Sequence, residues 1–477
     1  MAKNPVDSET REKRSAAERP KAVVVGAQLP DVSDGDFESS LMEITRLAKT
    51  LGLNVVGRVT QRRSGLAVGG VIGEGKLEEL ATWTGGTGKI PSGATRKKRK
   101  IDDDDSDDDS ESGDDSGDDS DDDSESESRD PTKASIVLVD HDLAPSQVRN
   151  LEQATGAEIL DRTSIILRIF ERHARTREAR MQVEIARLTY LAPRLRVSGG
   201  GDRQRGGIGG KGAGESAVEL DRRRIRDRIA ELNAELVNVE REAGVRRKRR
   251  VAPDGNQRTV ALVGYTNAGK SSWMRLLTSG EVYVADELFA TLDTTVRALA
   301  PAVSPRVLVS DTVGFIKKLP HALVASFRST LEEARDAGLL LHVVDAADPA
   351  FRAQLDVTRT VLRELDADDA PSIVLLNKVD KIDAAARDAL SKEFPDALLV
   401  SARDPEDVRR VHAAVVTFFE KDAIEVELFV PYAKQSLLGL IRETLRIVEE
   451  KWDNDGLHVR VRGTKAAIAK LEAELAR

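Results

Sequence analysis

The amino-acid sequence predicts an α/β fold in which a doubly wound, mostly parallel sheet carries a phosphate-binding loop. Short apolar runs recur along the chain, as the buried strands of a parallel sheet require, and amphipathic helical patterns separate them. One of these runs, TVALV at 259–263, passes directly into GYTNAGKS and then into a helical pattern. An α/β N-terminal domain with an antiparallel helical hairpin is expected to precede this sheet.

The N-terminal α/β domain is expected over residues 21–170, after a disordered polar leader at residues 1–20. Apolar residues at helical spacing between Leu41 and Leu51 predict a helix. Buried strands are predicted for the runs KAVVVGA, LNVVGRV, SIVLVD and AEIL. Strands and helices therefore alternate, which indicates an α/β unit.

A strongly acidic segment interrupts this domain. Residues 101–130 hold 18 acidic side chains and one arginine, a net charge of −17. The rest of the chain, with 72 basic and 64 acidic residues, carries +8 and favours anionic partners. Because like charges repel and bury little apolar surface, residues 85–132 are expected to form a disordered insertion. The insertion is either a solvated solubility tract or an electrostatic arm that competes with a polyanion for basic surface.

A basic helical hairpin is expected over residues 171–250, which hold 21 basic and 12 acidic residues. The apolar positions of its two helices follow helical and coiled-coil spacing and are Met181, Ile185, Leu188 and Leu191, then Ile225, Ile229, Leu232, Leu236 and Val239. Nine of the sixteen residues at 199–214 are glycine, which predicts a flexible tip. The tip is either a plain connector or an RNA-contacting element that uses Arg203, Arg205 and Lys211.

Composition excludes several classes of protein. The chain has no cysteine, so disulfides, thiolate metal sites and thiol nucleophiles are ruled out. Its six histidines are isolated, and it has neither a signal-peptide core nor a run of 18 apolar residues. We expect a soluble, cytoplasmic protein without a membrane span. Arginine outnumbers lysine 50 to 23, which together with the acidic segment favours a halophilic or GC-rich archaeal source.

The strongest chemical signal is the segment Gly264–Ser271, which has the GxxxxGK[ST] spacing of a phosphate-binding loop between a strand and a helix. Its glycines permit a tight turn, so that successive N–H groups face phosphates. Lys270 is expected to reach the β- and γ-phosphates, and the Ser271 hydroxyl to ligate Mg²⁺. This motif alone does not distinguish ATP from GTP.

Three later motifs each follow an apolar run and specify the nucleotide. DTVG begins at Asp311, NKVD spans Asn377–Asp380, and SAR begins at Ser401. Because parallel strands end at one edge of a sheet, these loops are expected to meet there. The Asp380 carboxylate can accept two hydrogen bonds from guanine N1–H and the exocyclic amine, which adenine cannot offer, so GTP and GDP are the expected ligands.

The ordered motifs resemble those of translation-factor-like GTPases, and longer stretches resemble the ribosome-associated HflX GTPases. These stretches are DRTSIILRIFERHARTREARMQVEIARLTYLAPRL from Asp161, GGIGGKGAGE, FATLDTT from Phe289, and DTVGFIKKLPHALVASFRSTLEE from Asp311. The resemblance implies a GTPase domain at 257–422, a small α+β C-terminal domain at 425–477, binding to the large ribosomal subunit and ribosomal RNA, and a role in ribosome dissociation or rescue. A monomer is expected.

The site residues follow from the motifs and the resemblance together. We expect Lys270, Thr295 and Gly314 to act in catalysis, and Ser271, Thr291 or Thr295, and Asp311 through water to hold Mg²⁺. The sequence does not separate the two threonines. The expected nucleotide-binding residues are Gly264, Tyr265, Thr266, Asn267, Ala268, Gly269, Lys270, Ser271, Phe289, Ala290, Thr291, Leu292, Asp293, Asp311, Thr312, Val313, Gly314, Asn377, Lys378, Val379, Asp380, Ser401, Ala402 and Arg403.

Two positions bear on the rate of hydrolysis. Phe315 follows DTVG and stands where many GTPases have a glutamine that positions the attacking water. Hydrolysis by the free protein is therefore expected to be slow and to be stimulated by ribosomes, unless another residue in the chain replaces the glutamine. Asn267 either ligates a K⁺ ion beside the phosphates or only stabilises the loop.

A second glycine–lysine segment, Gly73-Glu-Gly75-Lys76, resembles a nucleotide segment of the family's N-terminal domain. It either supports a secondary ATPase or is an ordinary turn into a helix, since it lacks the full phosphate-loop spacing. For the whole chain, the alternatives to a ribosome-splitting switch are a non-catalytic RNA-binding or assembly module that GTP only orders, and a GTPase of ribosome assembly or RNA modification.

Overall fold

The computed structural model describes most of the chain outside the leader, the acidic insertion and the glycine-rich tip. The described residues are 19–67, 69–90, 133–195, 217–248, 258–278, 288–289, 292, 294–317, 333–367, 369–421 and 423–476. They fall into two compact units, Met1–Ile165 and Ile166–Arg477.

The first unit is built on a four-stranded, fully parallel sheet with the strand order β2-β1-β3-β4. Its strands are β1 (Lys21–Gln28), β2 (Asn54–Arg62), β3 (Ile136–Val139) and β4 (Glu158–Asp161). Its helices are α1 (Asp34–Thr50), α2 (Glu74–Thr84) and α3 (Pro145–Thr155). Helices α2 and α3 both end at glycines with left-handed backbone, Gly85 and Gly156.

A buried ionic cluster lies at the carboxyl end of β3. The Arg162 guanidinium is 1% exposed, donates to Asp140 Oδ1 at 2.6 Å and also pairs with Glu43. Ser40 Oγ donates to the second oxygen of Asp140 at 2.5 Å. Breaking a buried pair of this kind by removing one partner costs several kcal/mol, about 3–5 in measured cases, so these side chains fix the edge of the sheet.

The second unit begins with a helical hairpin. Its helices are α4 (Arg162–His173), which starts before the division between the units, α5 (Arg177–Leu191) and α6 (Ala217–Lys248), with a short 3₁₀ turn at Ala192–Arg194. Two ion pairs show that α5 and α6 run antiparallel: Arg177 with Glu235 at 2.8 Å and Glu184 with Arg228 at 3.0 Å. Leu232, in the predicted seam, is 2% exposed.

A six-stranded sheet with the order β10-β9-β8-β5-β7-β6 follows the hairpin, and only its edge strand β6 is antiparallel. The strands are β5 (Thr259–Val263), β6 (Thr295–Ala298), β7 (Leu308–Asp311), β8 (Leu339–Asp345), β9 (Ser372–Asn377) and β10 (Leu398–Leu399). The helices are α7 (Lys270–Leu277), α8 (Phe351–Glu364), α9 (Ala384–Glu393) and α10 (Pro405–Glu420), with a 3₁₀ turn at Val379–Lys381. The chain continues to one side of β5 through β7 and to the other side through β8, so a crevice is expected at the carboxyl end of β5, where the two directions meet.

A small antiparallel sheet ends the chain, with the order β11-β13-β12. Its strands are β11 (Ala423–Pro431), β12 (Arg446–Trp452) and β13 (Gly456–Thr464). A 3₁₀ turn at Tyr432–Lys434 and helices α11 (Leu437–Thr444) and α12 (Lys465–Ala476) complete it. Alternating apolar residues cover one face of the sheet, among them Leu428, Val430, Val459 and Val461.

These observations confirm the predicted α/β class, with two parallel-rich sheets and a small α+β element at the end of the chain. The five predicted segment boundaries stay predictions, because the model separates only two units. Within the described ranges, no helix is both long enough and apolar enough to span a bilayer.

Candidate guanine nucleotide site

Two glycines shape the loop that connects β5 to α7. Gly264 has φ +149°, and a Cβ atom added there would lie 2.2 Å from the Val343 carbonyl oxygen. Gly269 has φ +106°, and its added Cβ would lie 2.4 Å from Asn377 Nδ2. Only glycine fits both positions, and the resulting turn aims the first N–H groups of α7 at the crevice.

Lys270 folds back over this loop. Its side chain is buried, and Nζ donates to the carbonyl oxygens of Gly264 at 3.0 Å and Tyr265 at 2.8 Å. Burial lowers the pKa of Lys270 to about 8, against the opposing attraction of the Asp311 carboxylate. Phosphates bound at this ammonium would compensate the charge that burial disfavours.

Two oxygen ligands suited to Mg²⁺ lie side by side at the start of α7 and the end of β7. Ser271 Oγ donates to Asp311 Oδ2 at 2.8 Å, and hard oxygen donors with room for water and phosphate match the preference of Mg²⁺. In the part of the chain that the structure describes, no group of three or more His, Asp or Glu side chains could hold a metal by itself. A Mg²⁺ ion here would therefore depend on nucleotide oxygens and water as well.

The structure describes only one of the two threonines that are candidate Mg²⁺ ligands. Thr295 begins β6 and lies opposite Asp311 in the antiparallel register. Thr291 lies outside the described residues, as do Ala290 and Asp293. Metal binding by Thr291 or Thr295, and nucleotide binding by Ala290 and Asp293, stay predictions.

Phe289, the first residue of the same FATLDTT segment, is buried at 3% exposure and has left-handed backbone, φ +59°. Its ring packs edge-to-face on Phe170 of α4, with ring centroids 4.6 Å apart. Leu292 is also buried, at 2% exposure. Aromatic pairs of this geometry contribute about 0.5–1.5 kcal/mol beyond their buried area, so this segment is anchored to α4 by its apolar side chains.

The DTVG segment pairs with the phosphate loop. The Thr266 N–H donates to the Phe315 carbonyl at 2.8 Å, and the Phe315 N–H donates to the Gly264 carbonyl at 3.1 Å. The Lys317 N–H donates to the Tyr265 hydroxyl at 2.6 Å. Gly314 lies between these contacts, where an added Cβ would be 2.9 Å from Lys270 Nζ. The DTVG backbone is therefore held against the phosphate loop.

The side chains of DTVGF are directed away from solvent. Phe315 is 2% exposed and Val313 6% exposed. Thr312 is fully buried, and its hydroxyl donates to the Leu262 carbonyl at 2.7 Å. The phenylalanine that stands in the place of a water-positioning glutamine is thus part of the core.

The NKVD segment supports the opposite end of the crevice. Asn377 Nδ2 donates to the Ala268 carbonyl at 2.8 Å, and Asn377 Oδ1 accepts from the Ala402 N–H at 3.2 Å. Lys378 has left-handed backbone, φ +65°, and its Nζ donates to Asn267 O and to Asp345 Oδ2, both at 2.7 Å. One asparagine and one lysine therefore join the phosphate loop to the base-recognition loops.

Asp380 is positioned by the SAR loop. Its carboxylate accepts from Ser401 Oγ at 2.7 Å and lies 3.4 Å from the Arg403 guanidinium. The Ser401 N–H in turn donates to Asp407 Oδ2 at 2.8 Å. A fixed carboxylate in this place has the acceptor geometry that guanine requires.

Three residues that support the site were not predicted: Lys317, Asp345 and Asp407. Tyr265 was predicted to bind nucleotide, but the contact of its hydroxyl with Lys317 was not. Asp345 and Asn377 are register partners of β8 and β9, so strand pairing, once known, would have located Asp345. Nothing in the local sequence signals the Tyr265–Lys317 contact. The predicted RNA contacts Arg203, Arg205 and Lys211 lie outside the described residues.

The second glycine–lysine segment forms an ordinary helix start. The Gly73 N–H, at the N-terminal cap of α2, donates to Gln61 Oε1 at 2.8 Å. Lys76 Nζ pairs with Glu79 at 2.5 Å on the surface. Both groups are engaged within the protein, which favours the turn interpretation, and the secondary ATPase stays a prediction.

Comparisons with known families and proteins agree with this geometry. Family models match residues 38–88 and 125–171 ("GTP-binding GTPase N-terminal"), 173–250 ("GTP-binding GTPase Middle Region") and 259–378 ("50S ribosome-binding GTPase"). The first model omits residues 89–124, within the predicted insertion.

Several relatives share the name "GTPase HflX". One from Gluconacetobacter diazotrophicus is 53% identical over 461 residues, which cover 96% of this chain and 98% of that protein. One from Escherichia coli is 41% identical over 332 residues, which cover 68% of this chain and 76% of that protein. Among solved structures, SsGBP in complex with GDP matches with a TM-score of 0.43 and 21% identity, over 84% of this chain and 98% of that one. These comparisons do not support the archaeal source that composition favoured. The similarity to the curated relatives shows that the chain belongs to the HflX family of GTPases, which hydrolyse GTP.

Proposed function

We propose that this GTPase binds the large ribosomal subunit and uses its nucleotide state to control that binding and the dissociation or rescue of ribosomes. One observation carries the proposal: a long arginine-rich helix, α6, is attached to a guanine nucleotide site in one compact unit. The family whose model matches residues 259–378 is described as a 50S ribosome-binding GTPase, which supports the same reading.

Helix α6 is suited to phosphate contacts because its apolar seam is used within the hairpin while its arginines face outward. Arg222, Arg223, Arg224 and Arg226 are all exposed. Arginine and lysine bind nucleic acid by neutralising phosphates and releasing counterions, so affinity should fall steeply with salt. The predicted tip residues Arg203, Arg205 and Lys211 extend this proposal to ribosomal RNA at the end of the hairpin.

Hydrolysis by the free protein is expected to be slow, because Phe315 is buried and has no polar atom with which to orient water. Mg²⁺ is proposed at Ser271 and Asp311, where it would neutralise charge on the β- and γ-phosphates. K⁺ is proposed at the Asn267 side chain, since the backbone carbonyl oxygen of this residue already accepts from Lys378 Nζ. Ribosome binding would then accelerate turnover by ordering the FATLDTT and DTVG segments around the γ-phosphate.

The most direct test is sedimentation of large subunits and whole ribosomes with the full chain in GTP, GDP and a non-hydrolysable GTP analogue. We expect co-sedimentation with large subunits in GTP or the analogue, weaker binding in GDP, and separation of whole ribosomes into subunits in GTP. Equal binding in all three nucleotide states would contradict the switch.

The alternative is a non-catalytic RNA-binding or assembly module that GTP merely orders. Lys270→Ala and Ser271→Ala distinguish the two, since both remove phosphate or metal contacts without touching α6. If these variants still split ribosomes, the alternative is correct. A Lys76→Ala variant is the matched control and should behave as the unmodified protein.

We further propose that the protein acts as a monomer in the cytoplasm, where its ribosomal partner is found. Analytical ultracentrifugation at the working concentration tests the monomer directly. A dimer at that concentration would contradict the proposed monomer.

A further inference from the structure

One polar group in the phosphate loop is buried without a visible use. Thr266 is 7% exposed, and among the described residues its Oγ1 has no hydrogen-bond partner. Burying a hydroxyl in this way costs free energy. Buried polar groups without a partner are rare, and a catalytic role or a bound water or ion is among their explanations.

The Thr266 side chain lies at the γ-phosphate end of the site. A Cβ added to Gly314 would be 2.9 Å from Thr266 Cα, 2.9 Å from Thr266 Cγ2 and 2.9 Å from Lys270 Nζ. Gly314 is the glycine whose N–H meets the γ-phosphate in this type of site, and Lys270 reaches the β- and γ-phosphates. Thr266 therefore adjoins the two groups that are expected to contact the γ-phosphate, which GTP has and GDP lacks.

Neighbouring polar groups are already engaged. The Tyr265 hydroxyl accepts from the Lys317 N–H at 2.6 Å, and the Thr312 hydroxyl donates to the Leu262 carbonyl at 2.7 Å. Phe315, in the place of the usual glutamine, is buried. At this end of the site, the Thr266 hydroxyl is thus a buried side-chain group that no described residue engages.

We propose that the Thr266 hydroxyl is a catalytic group that donates a hydrogen bond to a γ-phosphoryl oxygen and accepts one from the attacking water. A hydroxyl can do both, since it has one donor and two acceptor positions. The water oxygen bonds to Pγ while the bond from Pγ to the β–γ bridging oxygen breaks, and GDP leaves with that oxygen. Both protons of the water end on inorganic phosphate, so the step is balanced.

Thr266→Val keeps the shape of the side chain and removes its hydroxyl. This substitution should slow hydrolysis without destabilising the protein. Because no hydrogen bond among the described residues is lost, the nucleotide-free protein should melt at the same or a higher temperature. Because GDP has no γ-phosphate, its Kd should change less than about twofold, whereas single-turnover GTP hydrolysis should slow by about tenfold or more, as expected for losing a hydrogen bond to a charged group. Thr266→Ser keeps the hydroxyl and should hydrolyse GTP within about threefold of the unmodified rate.

Thr358→Val is the matched control, because Thr358 is also buried but its hydroxyl already donates to the Gln354 carbonyl at 2.9 Å. It should lower the melting temperature and leave hydrolysis unchanged. The measurements use the full chain in molar excess over GTP, with Mg²⁺ and K⁺ present. Unchanged hydrolysis by Thr266→Val overturns the proposal, and so does a parallel loss of GDP affinity or a lowered melting temperature, since both would show a structural hydroxyl.

Discussion

Two segments of this chain join glycines to a lysine at the start of a helix, and they differ in what the lysine can reach. In Gly73–Lys76 the lysine follows the last glycine at the surface and pairs with Glu79, one turn further along its own helix. In Gly264–Ser271 the lysine is buried and donates to two carbonyls of its own loop, at 3.0 and 2.8 Å. The same residue types thus form a helix start in one unit and a phosphate loop in the other.

The difference lies in the length of the loop and in its neighbours. Four residues between Gly264 and Gly269 give the chain room to wrap around an anion, and Gly269 then takes up φ +106° against Asn377. A Cβ atom added to Gly75 meets nothing within 4 Å. A glycine marks a phosphate site when its surroundings forbid a side chain, and the residue type alone does not.

The largest contrast is expected between the two lysines. Lys270→Ala removes the ammonium that reaches the phosphates, so GTP hydrolysis should fall by about a hundredfold or more, as for other preorganised charge-stabilising groups. Lys76→Ala removes only a surface ion pair and should change hydrolysis less than about twofold. Single-turnover hydrolysis of the two variants measures the contrast, and equal losses would show that both turns bind nucleotide.

The two glycines should differ next. Gly269→Ala places a Cβ atom 2.4 Å from Asn377 Nδ2 in a backbone conformation that side chains rarely adopt, so GDP affinity should fall by about tenfold to a hundredfold, corresponding to about 1–3 kcal/mol of strain. Gly75→Ala replaces an unhindered helical glycine and should raise the free energy of unfolding by up to about 1 kcal/mol. Fluorescent GDP titration and chemical denaturation measure the two effects. A Gly75→Ala variant with weakened GDP affinity would contradict this account.

The pH dependence of GDP binding should depend on Lys270 and not on Lys76. Burial lowers the pKa of Lys270 to about 8 in the free protein, and bound phosphates favour its protonated form. Above pH 8 binding must therefore take up a proton, and the Kd for GDP should rise by up to about tenfold per pH unit. Titration between pH 7 and 9.5 tests this. Lys76→Ala should keep the full dependence, and a flat profile in the unmodified protein would show that Lys270 stays charged without nucleotide.

The smallest effect concerns the helix start in the first unit. Gln61→Leu leaves the Gly73 N–H without its 2.8 Å side-chain acceptor, which should lower the free energy of unfolding by about 1 kcal/mol. Nucleotide affinity should not change. A loss of nucleotide binding in this variant would indicate that the Gly73 turn takes part in the site.

The sequence predicted the phosphate loop and the strand ends because their chemistry depends on residues close together in the chain. Spacing alone placed Gly269, Lys270 and Ser271, and the α/β class followed from alternating apolar runs. The sequence also predicted that the motif loops meet at one edge of the sheet, but not the individual side-chain contacts between distant segments, since these depend on register and loop path. The Tyr265–Lys317 hydrogen bond and the Phe170–Phe289 contact join residues far apart in the chain, and neither leaves a local pattern.

We propose that the second unit is a slow GTPase whose turnover the large ribosomal subunit controls. The most direct measurement is the single-turnover rate of GTP hydrolysis by the full chain with and without purified large subunits, in Mg²⁺ and K⁺. We predict that large subunits accelerate hydrolysis by at least about tenfold, equivalent to 1.4 kcal/mol of barrier, and that Lys270→Ala abolishes the acceleration. Equal rates with and without large subunits would contradict the account.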